Sequence, residues 1–268
     1  MTYGVYHLEG PGWENDHVGF RNYLDTRNGM DIFGKITNEM ILDRAGIGED
    51  YHFKQDWGQD ILRVGTSLGA GSIALEKNGK LYRVAPGAES SFEKVIEGPL
   101  RSVFSLRFDN WKVEDETYSL VHEISIQAGT WYYQSKVYFP DMKDDGVLIA
   151  GITTIGLKEK EAEVSNYGDN WIAVITHGPQ AYDNEFLGLG ILLKKENFLG
   201  YEYIGGDRED ITNSFLVKMP VSSESPASFR FYSAWEITDG KFANRQQFDE
   251  LLKYDALRME QPIKISLK

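Results

Sequence analysis

RSVFSLRF (residues 101–108) and YSLVHEISIQAG (residues 118–129) are two runs in which apolar and polar side chains alternate. In the second run, one face would carry four mostly apolar residues, namely Leu120, His122, Ile124 and Ile126. A two-residue period of this kind is typical of a β-strand that buries one face in a sheet. We therefore predict two neighbouring strands, joined by the acidic turn between the runs.

Apolar runs of strand length continue on both sides of this pair. Downstream they include WYYQSKVYF, VLIAGITTIGL, WIAVITHG, FLGLGILLKK, FLVKMPV and SFRFYSAWEI. Upstream, Ser72–Leu75 and Leu81–Val84 flank Asn78 and Gly79, a dipeptide that favours the tight turn of a β-hairpin. The chain contains no repeat, linker or low-complexity segment that would divide it. These features predict one all-β domain over residues 1–268, a large antiparallel β-sandwich.

Helical periodicity is rare in this chain, so we expect few and short helices. Residues 245–258 predict a helix whose apolar stripe is formed by Phe248, Leu251, Leu252 and either Ala256 or Leu257. Thr37 and Asn38 predict the cap of one short helical turn. A last strand is expected after Pro262, at IKISLK.

The composition restricts the function classes. The 268 residues carry a formal net charge of -13 and include no cysteine. The negative charge argues against nucleic acid or an anionic membrane as a partner, although a local basic pocket could still bind a small anion. Without cysteine there is no disulfide, thiolate nucleophile or cysteine metal site. No apolar run approaches the ~18 residues that a membrane-spanning helix needs.

Two segments concentrate more ionisable and aromatic residues than a buried strand needs. GPGWENDHVGFRNYLDTRNGMDIFGK (residues 10–35) contains Trp13, Glu14, Asn15, His17 and Arg21. YHFKQDWGQDILRVGTSLGAG (residues 51–71) contains His52 and Trp57. We interpret the two segments as walls of one carbohydrate-type site. We expect five of these residues to line an open cleft on the concave face of a curved sheet: Trp13, Asn15, Arg21, His52 and Trp57.

Other candidate residues have a competing structural interpretation. His122 is either a satisfied core histidine or a site residue that a curved sheet presents to a cleft. His177 ends an apolar strand, at an edge where functional residues often occur. Tyr132 and Trp235 could stack on sugar rings, although packing inside a thick sandwich is the simpler interpretation. No H-E-x-x-H, EF-hand or nucleophile-elbow motif is found, so we predict neither a metal nor a cofactor, although a metal site built from scattered histidines and aspartates stays open.

Three segments carry a resemblance to a known family: GPGWENDHVGFRNYLDTRNGMDIFGK, YHFKQDWGQDILRVGTSLGAGSIA and FYSAWEITDGKFANRQQFDELL. They resemble the bacterial family called domain of unknown function 4861, and the similarity covers nearly the whole chain. The resemblance implies a β-supersandwich of the galactose-mutarotase and polysaccharide-lyase type, encoded among polysaccharide-utilisation genes. It also implies a periplasmic or exported protein whose signal peptide is absent from this sequence, although a cytoplasmic location stays open.

The resemblance further implies dehydration of a uronic acid at the non-reducing end of an acidic oligosaccharide. A base would remove the C5 proton, an acid would protonate the departing 4-hydroxyl, and a cation or amide would hold the carboxylate. Arg21 and Asn15 suit the last role. The expected catalytic residues are His52, His122, Arg21 and Tyr132. The expected substrate contacts are Trp13, Glu14, Asn15, Trp57, His17, His177 and Trp235.

Two other functions fit the same residues. The first is a glycan-binding protein without catalytic activity on the same scaffold. The second is a sugar epimerase or mutarotase, which would use the same acid and base without loss of water.

Overall fold

The computed structural model describes residues 8–84, 88–207 and 210–261, and seventeen strands are the main regular element among them. A four-stranded antiparallel sheet has the order β1 (Gly12–Glu14), β2 (Val18–Asn22), β3 (Met30–Lys35) and β4 (Gly58–Asp60). A five-stranded antiparallel sheet has the order β15 (Gly200–Ile204), β16 (Ser214–Val221), β11 (Gly146–Thr153), β5 (Ala70–Lys77) and β6 (Lys80–Arg83).

The third sheet is the largest and is also antiparallel. One half of its order is β12 (Glu163–Tyr167), β13 (Trp171–Gly178), β14 (Leu187–Lys194) and β17 (Ala227–Trp235). The order continues with β10 (Tyr132–Tyr138), β9 (Glu116–Gln127), β8 (Arg101–Val113) and β7 (Glu89–Glu97). The strands predicted from alternation at 101–108 and 118–129 are β8 and β9, which pair with each other as expected.

The sheets form two layers around one main core. The four- and five-stranded sheets meet through a parallel bridge between Met30 and Gly69, and together they cover one face of the eight-stranded sheet. Each sheet contributes alternate residues to this core, among them Phe20 and Ile73 from one layer and Ile124 from the other. The inner face of each sheet is therefore apolar, which is what the two-residue period requires. The all-β sandwich prediction is confirmed.

One helix packs on the outer face of the eight-stranded sheet. It is α1 (Arg245–Glu260), and its first turn is capped by the Asn244 side chain, which accepts from the Gln246 N–H. The helix buries Phe248, Leu252 and Ala256. It ends two residues later than predicted, and Leu257 lies outside the buried stripe. Two short 3-10 helices, Lys195–Asn197 and Gly240–Ala243, complete the helical content of the described residues. No helix among them is long and apolar enough to cross a membrane.

Two local predictions can be compared with the structure. The hairpin of β5 and β6 turns at Asn78 and Gly79, both with positive φ, as the dipeptide predicted. The short helical turn occurs at residues 41–45, where the Ala45 N–H donates to the Ile41 carbonyl. Its cap is the Glu14 carboxylate rather than Thr37 or Asn38. The strand expected at residues 263–268 lies outside the described residues.

Residues 36–57 form a loop that covers the outer face of the four-stranded sheet. The loop contributes Ile41, Tyr51 and Trp57 to a small apolar cluster that also contains Phe33 of β3. Arg21 and Asp31 lie opposite each other on β2 and β3, and both are buried. The loop thus seals a polar patch of the sheet away from bulk water.

His122 lies in the main core rather than in a cleft. Its ring is 1% exposed, and Nε2 lies 2.7 Å from the Ser135 hydroxyl oxygen. Burial lowers the pKa of His122 from its ordinary 6.5 to about 3. The catalytic assignment of His122 is therefore wrong, and the core interpretation is the one that the structure supports.

This burial predicts acid sensitivity. The neutral ring is favoured in the folded protein, so its stabilisation is complete above pH 6.5 and is lost as the pH falls from 6.5 toward 3. The pKa difference corresponds to roughly 4–6 kcal/mol of unfolding free energy. We expect His122→Gln, which keeps a partner for Ser135, to remove that part of the pH dependence in denaturant titrations. An unchanged slope between pH 6.5 and 4 would contradict the burial argument.

Candidate functional site

A buried charged cluster lies on the outer face of the four-stranded sheet, beneath the loop 36–57. Arg21 Nη2 is 2.7 Å from Asp31 Oδ2 and 3.8 Å from Asp60 Oδ2. The three residues come from β2, β3 and β4, whose pairing places them side by side. All three are at most 3% exposed. The sheet therefore holds one guanidinium and two carboxyl groups together out of water.

Two tyrosines complete the cluster. Arg21 Nη1 donates to the Tyr51 hydroxyl at 3.0 Å, and Nη2 also donates to the Tyr23 hydroxyl. The Tyr23 hydroxyl donates to Asp31 Oδ2 at 2.8 Å. The rings of Tyr23, Phe33 and Tyr51 lie against the guanidinium, at 4.2, 5.4 and 5.2 Å from its carbon. These contacts fix the orientation of the guanidinium.

The two carboxyl groups have unequal affinities for a proton. Burial raises the pKa of Asp60 well above its ordinary range, and the neighbouring Asp31 carboxylate adds to the effect. Burial opposes the charge of Arg21, but Asp31, Tyr23 and Tyr51 together outweigh it and raise the guanidinium pKa. Asp60 thus holds a proton more readily than an exposed carboxyl group does, and Asp31 is paired with Arg21. This arrangement avoids an uncompensated charge in a region of low dielectric.

His52 connects this cluster to solvent. Its side chain is 45% exposed, and Nδ1 lies 2.8 Å from Asp50 Oδ1. Nε2 points toward Asp60, at 3.9 Å from Oδ2. A surface cavity of about 490 Å³ is lined by Gly48, Glu49, Asp50, Tyr51 and His52. A partly exposed histidine at a cavity, oriented by one acid and facing a second, buried acid, is an arrangement suited to proton transfer.

The rim beside His52 adds an aromatic ring and a cation. The Tyr182 ring lies 6.5 Å from the His52 ring, and the Arg63 guanidinium carbon lies 4.9 Å from the Tyr182 ring. Arg63 Nη2 donates to the Tyr182 carbonyl, while no carboxylate pairs with it among the described residues. Gln59 Nε2 lies 3.3 Å from Asp183 Oδ2, and Gln59 Oε1 has no hydrogen-bond partner among the described residues. In the part of the chain described, no three acid or histidine side chains are arranged to hold a metal ion.

Arg21 cannot take the role expected of it. Its side chain is 1% exposed, and Asp31, Tyr23 and Tyr51 already occupy both terminal nitrogens. A substrate carboxylate cannot reach it without displacing these partners. The two dense segments do converge, since Arg21 and His52 both lie near Asp60. They converge in a buried cluster with a narrow exposed edge rather than in an open cleft lined by all five predicted residues.

The two tryptophans expected as a sugar platform are buried. Trp57 is fully buried in the cluster beneath the loop, where its Nε1 donates to Glu49 Oε1. Trp13 is 4% exposed and lies on the opposite face of the sheet, stacked on Phe20 in the main core. Neither ring can receive a sugar, so the platform interpretation is wrong for both.

Glu14 and Asn15 brace the fold. Glu14 accepts from Lys35 Nζ and from the Ile41 and Leu42 N–H groups. Asn15 Nδ2 donates to the carbonyls of Gln127 and Thr130, which ties the first hairpin to the eight-stranded sheet. Asn15 Oδ1 accepts two backbone N–H groups. The polar atoms of both side chains are bonded within the protein, although Glu14 also lines a surface cavity.

The remaining candidates lie away from the cluster. His17 stacks on Trp131 at 4.4 Å, and His177 Nε2 lies 2.8 Å from the Phe242 carbonyl oxygen. Burial lowers the pKa of both histidines. Trp235 is 2% exposed and belongs to the main core, so it cannot stack on a sugar. Tyr132 lies half-buried on the outer face of the eight-stranded sheet, on the other side of the sandwich.

Several cluster residues were not anticipated from the sequence: Tyr23, Asp31, Asp50, Tyr51, Asp60, Arg63 and Tyr182. A usable signal existed for Asp31 and Asp60, because each acid interrupts a short apolar run, in MDIF and in GQDIL. A carboxylate inside a buried strand needs a partner, and that requirement points to a site. For Tyr182, on a loop distant in sequence, no such signal was present.

Because the pKa of Asp60 is raised, we expect its contribution to fold stability to fall as the pH rises. A carboxyl group whose folded pKa is raised stabilises the fold below its unfolded pKa, and that stabilisation is lost as the pH rises. Asp60→Asn keeps the shape and removes the titration. We expect its melting temperature, relative to the unchanged protein, to increase steadily from pH 4 to pH 8. A flat difference would show that Asp60 is ionised at an ordinary pKa.

Comparison with known proteins gives the family. A family model described as Domain of unknown function (DUF4861) matches residues 1–265, so the chain belongs to that family. "Uncharacterized protein P7" of Formosa agariphila is 22% identical over 276 residues, which cover 96% of this chain and 66% of that relative. The chain thus spans just under two thirds of the relative's length.

Proposed function

We propose that this member of the DUF4861 family is a carbon–oxygen lyase that acts on acidic oligosaccharides, with the cluster around His52 and Asp60 as its active site. The reaction is removal of water, or of a sugar, across C4 and C5 of a uronic acid. The observation that supports it best is the partly exposed His52, which is oriented by Asp50 at a surface cavity and faces the buried Asp60. His52 can therefore exchange a proton with a substrate in that cavity.

The chemistry assigns a role to each group. The uronate C5 proton is acidic because C5 is adjacent to the carboxylate. His52 takes that proton through Nε2 while Asp50 holds Nδ1. The C5–H electron pair forms the C4–C5 double bond, and the C4–O bond breaks. His52 then gives this proton to the departing oxygen, so a 4-hydroxyl leaves as water, and the buried Asp60 acts only through its contact with His52.

Arg63 is the group that would hold the substrate carboxylate in place of Arg21. It lies on the rim beside Tyr182, at intermediate exposure, with no carboxylate partner among the described residues. The Tyr182 ring offers a face for the sugar between Arg63 and His52. Negative charge builds on the uronate carboxylate during C5 deprotonation, and a nearby guanidinium stabilises it. Arg21 then acts indirectly, by fixing the Asp31 carboxylate whose charge raises the pKa of Asp60.

The proposal is tested by incubating the protein with saturated uronic-acid oligosaccharides. The expected result is absorbance in the unsaturated-uronate band, with a product lighter by one water in the mass spectrum, or cleaved into two fragments. Binding without any product would favour a glycan-binding protein. Exchange of the C5 or C1 hydrogen for deuterium, without elimination, would favour an epimerase or mutarotase. Absence of both product and binding across a broad panel of acidic glycans would refute the proposal.

A further inference from the structure

The outer face of the eight-stranded sheet carries alternating cations and aromatic rings. Lys194 of β14 places its ammonium 4.4 Å from the Trp171 ring. The Arg230 guanidinium of β17 lies between two rings, 5.2 Å from Trp171 and 5.6 Å from Tyr132. Tyr132 packs 4.8 Å from the Tyr232 ring. We call Lys194, Trp171, Arg230 and Tyr132 the cation–aromatic row.

Three cations of this face lack ion-pair partners among the described residues, although the whole chain has a net charge of -13. Within the described residues, neither Lys194 nor Arg230 has a carboxylate oxygen within 4 Å, and the same holds for Lys136 on β10. Glu123 is the neighbour of Lys136 across the strands but forms no ion pair with it. Asp255 of α1 lies near Arg230, where burial raises the pKa of its carboxyl group. Three positive charges are therefore available for an anion.

Two hydrogen-bond donors in the row are also unsatisfied. Trp171 is 5% exposed, and its Nε1 is buried without an acceptor among the described residues. Arg230 Nε is buried without an acceptor in the same part of the chain, and its Nη2 reaches Gln134 Oε1 only at 3.5 Å. Unpaired buried donors are unfavourable, so these two atoms weaken the packing of this face.

We infer that the cation–aromatic row is a binding site for a chain of acidic sugars, separate from the cluster around His52. The half-buried Tyr132 ring suits the apolar face of a sugar, and the cations suit carboxylate or sulfate groups. Lys194, Arg230 and Lys136 lie on three adjacent strands, which places them across about 10 Å. A nucleic acid would need a larger basic surface than three cations in an acidic protein.

The site lies on the opposite side of the sandwich from His52. The row is on the outer face of one layer, and the His52 cluster is on the outer face of the other. One short oligosaccharide cannot occupy both. The row would hold a polymer, and the inference does not depend on whether the protein is an enzyme.

The test compares two double variants by affinity electrophoresis in gels containing polygalacturonate, alginate or dextran sulfate. Lys194→Gln with Arg230→Gln removes two cations of the row. Lys80→Gln with Lys158→Gln removes two exposed lysines elsewhere and changes the net charge equally. We expect the first variant to lose at least about tenfold in affinity for one or more of these polymers. The second variant should bind like the unchanged protein, and none should be retarded by neutral dextran.

Further measurements support or overturn the inference of an acidic-polymer site. Arg230→Lys, which keeps the charge but loses the planar group, should restore part of the affinity lost in Arg230→Gln, in support of the inference. Binding that weakens as salt is added would also support it. Equal losses in both double variants, no retardation by any acidic polymer, or stronger binding to duplex DNA would each overturn it. Turnover of short oligosaccharides should be the same in both double variants, so a failure here is distinguishable from a failure of the proposed lyase activity.

Discussion

His52→Gln should lower kcat/KM for elimination on a uronic-acid oligosaccharide by about 10²–10⁴, the range for loss of a general base. Glutamine can still accept a hydrogen bond but cannot take the C5 proton at neutral pH. The melting temperature should change little, because the side chain is 45% exposed and its pairing with Asp50 is a surface contact. Initial rates and melting curves on the same preparation measure both quantities.

His17→Gln is the matched control for this prediction. His17 is also a partly exposed histidine beside an aspartate, but it stacks on Trp131 away from the cluster. Its substitution should leave turnover unchanged. If His17→Gln and His52→Gln lose activity equally, the base does not lie where we place it. Near-normal turnover in folded His52→Gln would remove His52 from the mechanism.

Arg21→Met should destabilise the fold by about 3–5 kcal/mol, because it leaves the Asp31 carboxylate buried without its cation. For a domain of this size, such a loss lowers the melting temperature by about 10 °C. Arg21→Lys should cost less, since the charge remains while the bonds to Tyr23 and Tyr51 are weakened. Thermal and denaturant unfolding of the two variants measure the difference.

A double variant separates charge from packing. Arg21→Met combined with Asp31→Asn removes both buried charges, so part of the stability lost in Arg21→Met should return. If Arg21→Met instead unfolds like the unchanged protein and loses only turnover, the guanidinium binds substrate and the structural role that we give it is wrong.

The fold was predictable because alternation survives wherever a sheet has one buried face. Phe104, Leu106 and Phe108 all enter the main core, as the pattern in RSVFSLRF indicates. The end of that strand was harder to predict. Asn110, with positive φ, lies in a bulge after Phe108, and pairing resumes at Trp111. A bulge breaks the two-residue period of a strand without ending its pairing. The alternation in the sequence therefore stops at Phe108, although β8 continues to Val113.

The candidate site was predictable only in part. The density of polar residues around Arg21 and His52 correctly indicated that the two segments meet. It did not indicate which side of the sheet each residue takes. The hairpin of β1 and β2 pairs Trp13 with Phe20 on the inner face and leaves Arg21 on the outer face. Residues 36–57 cover that outer face through tertiary packing, which the sequence pattern does not show. Because of this cover, the expected open cleft is a buried cluster.

The central claim is that a uronic acid binds at His52, and a structure of His52→Gln with a bound saturated uronic-acid oligosaccharide tests it most directly. We expect the uronate ring to stack on the Tyr182 ring, with its C5 next to residue 52. The uronate carboxylate should accept hydrogen bonds from the Arg63 guanidinium. Sugar density only on the outer face of the eight-stranded sheet, with the cavity beside residue 52 free of ligand at saturating concentration, would contradict it.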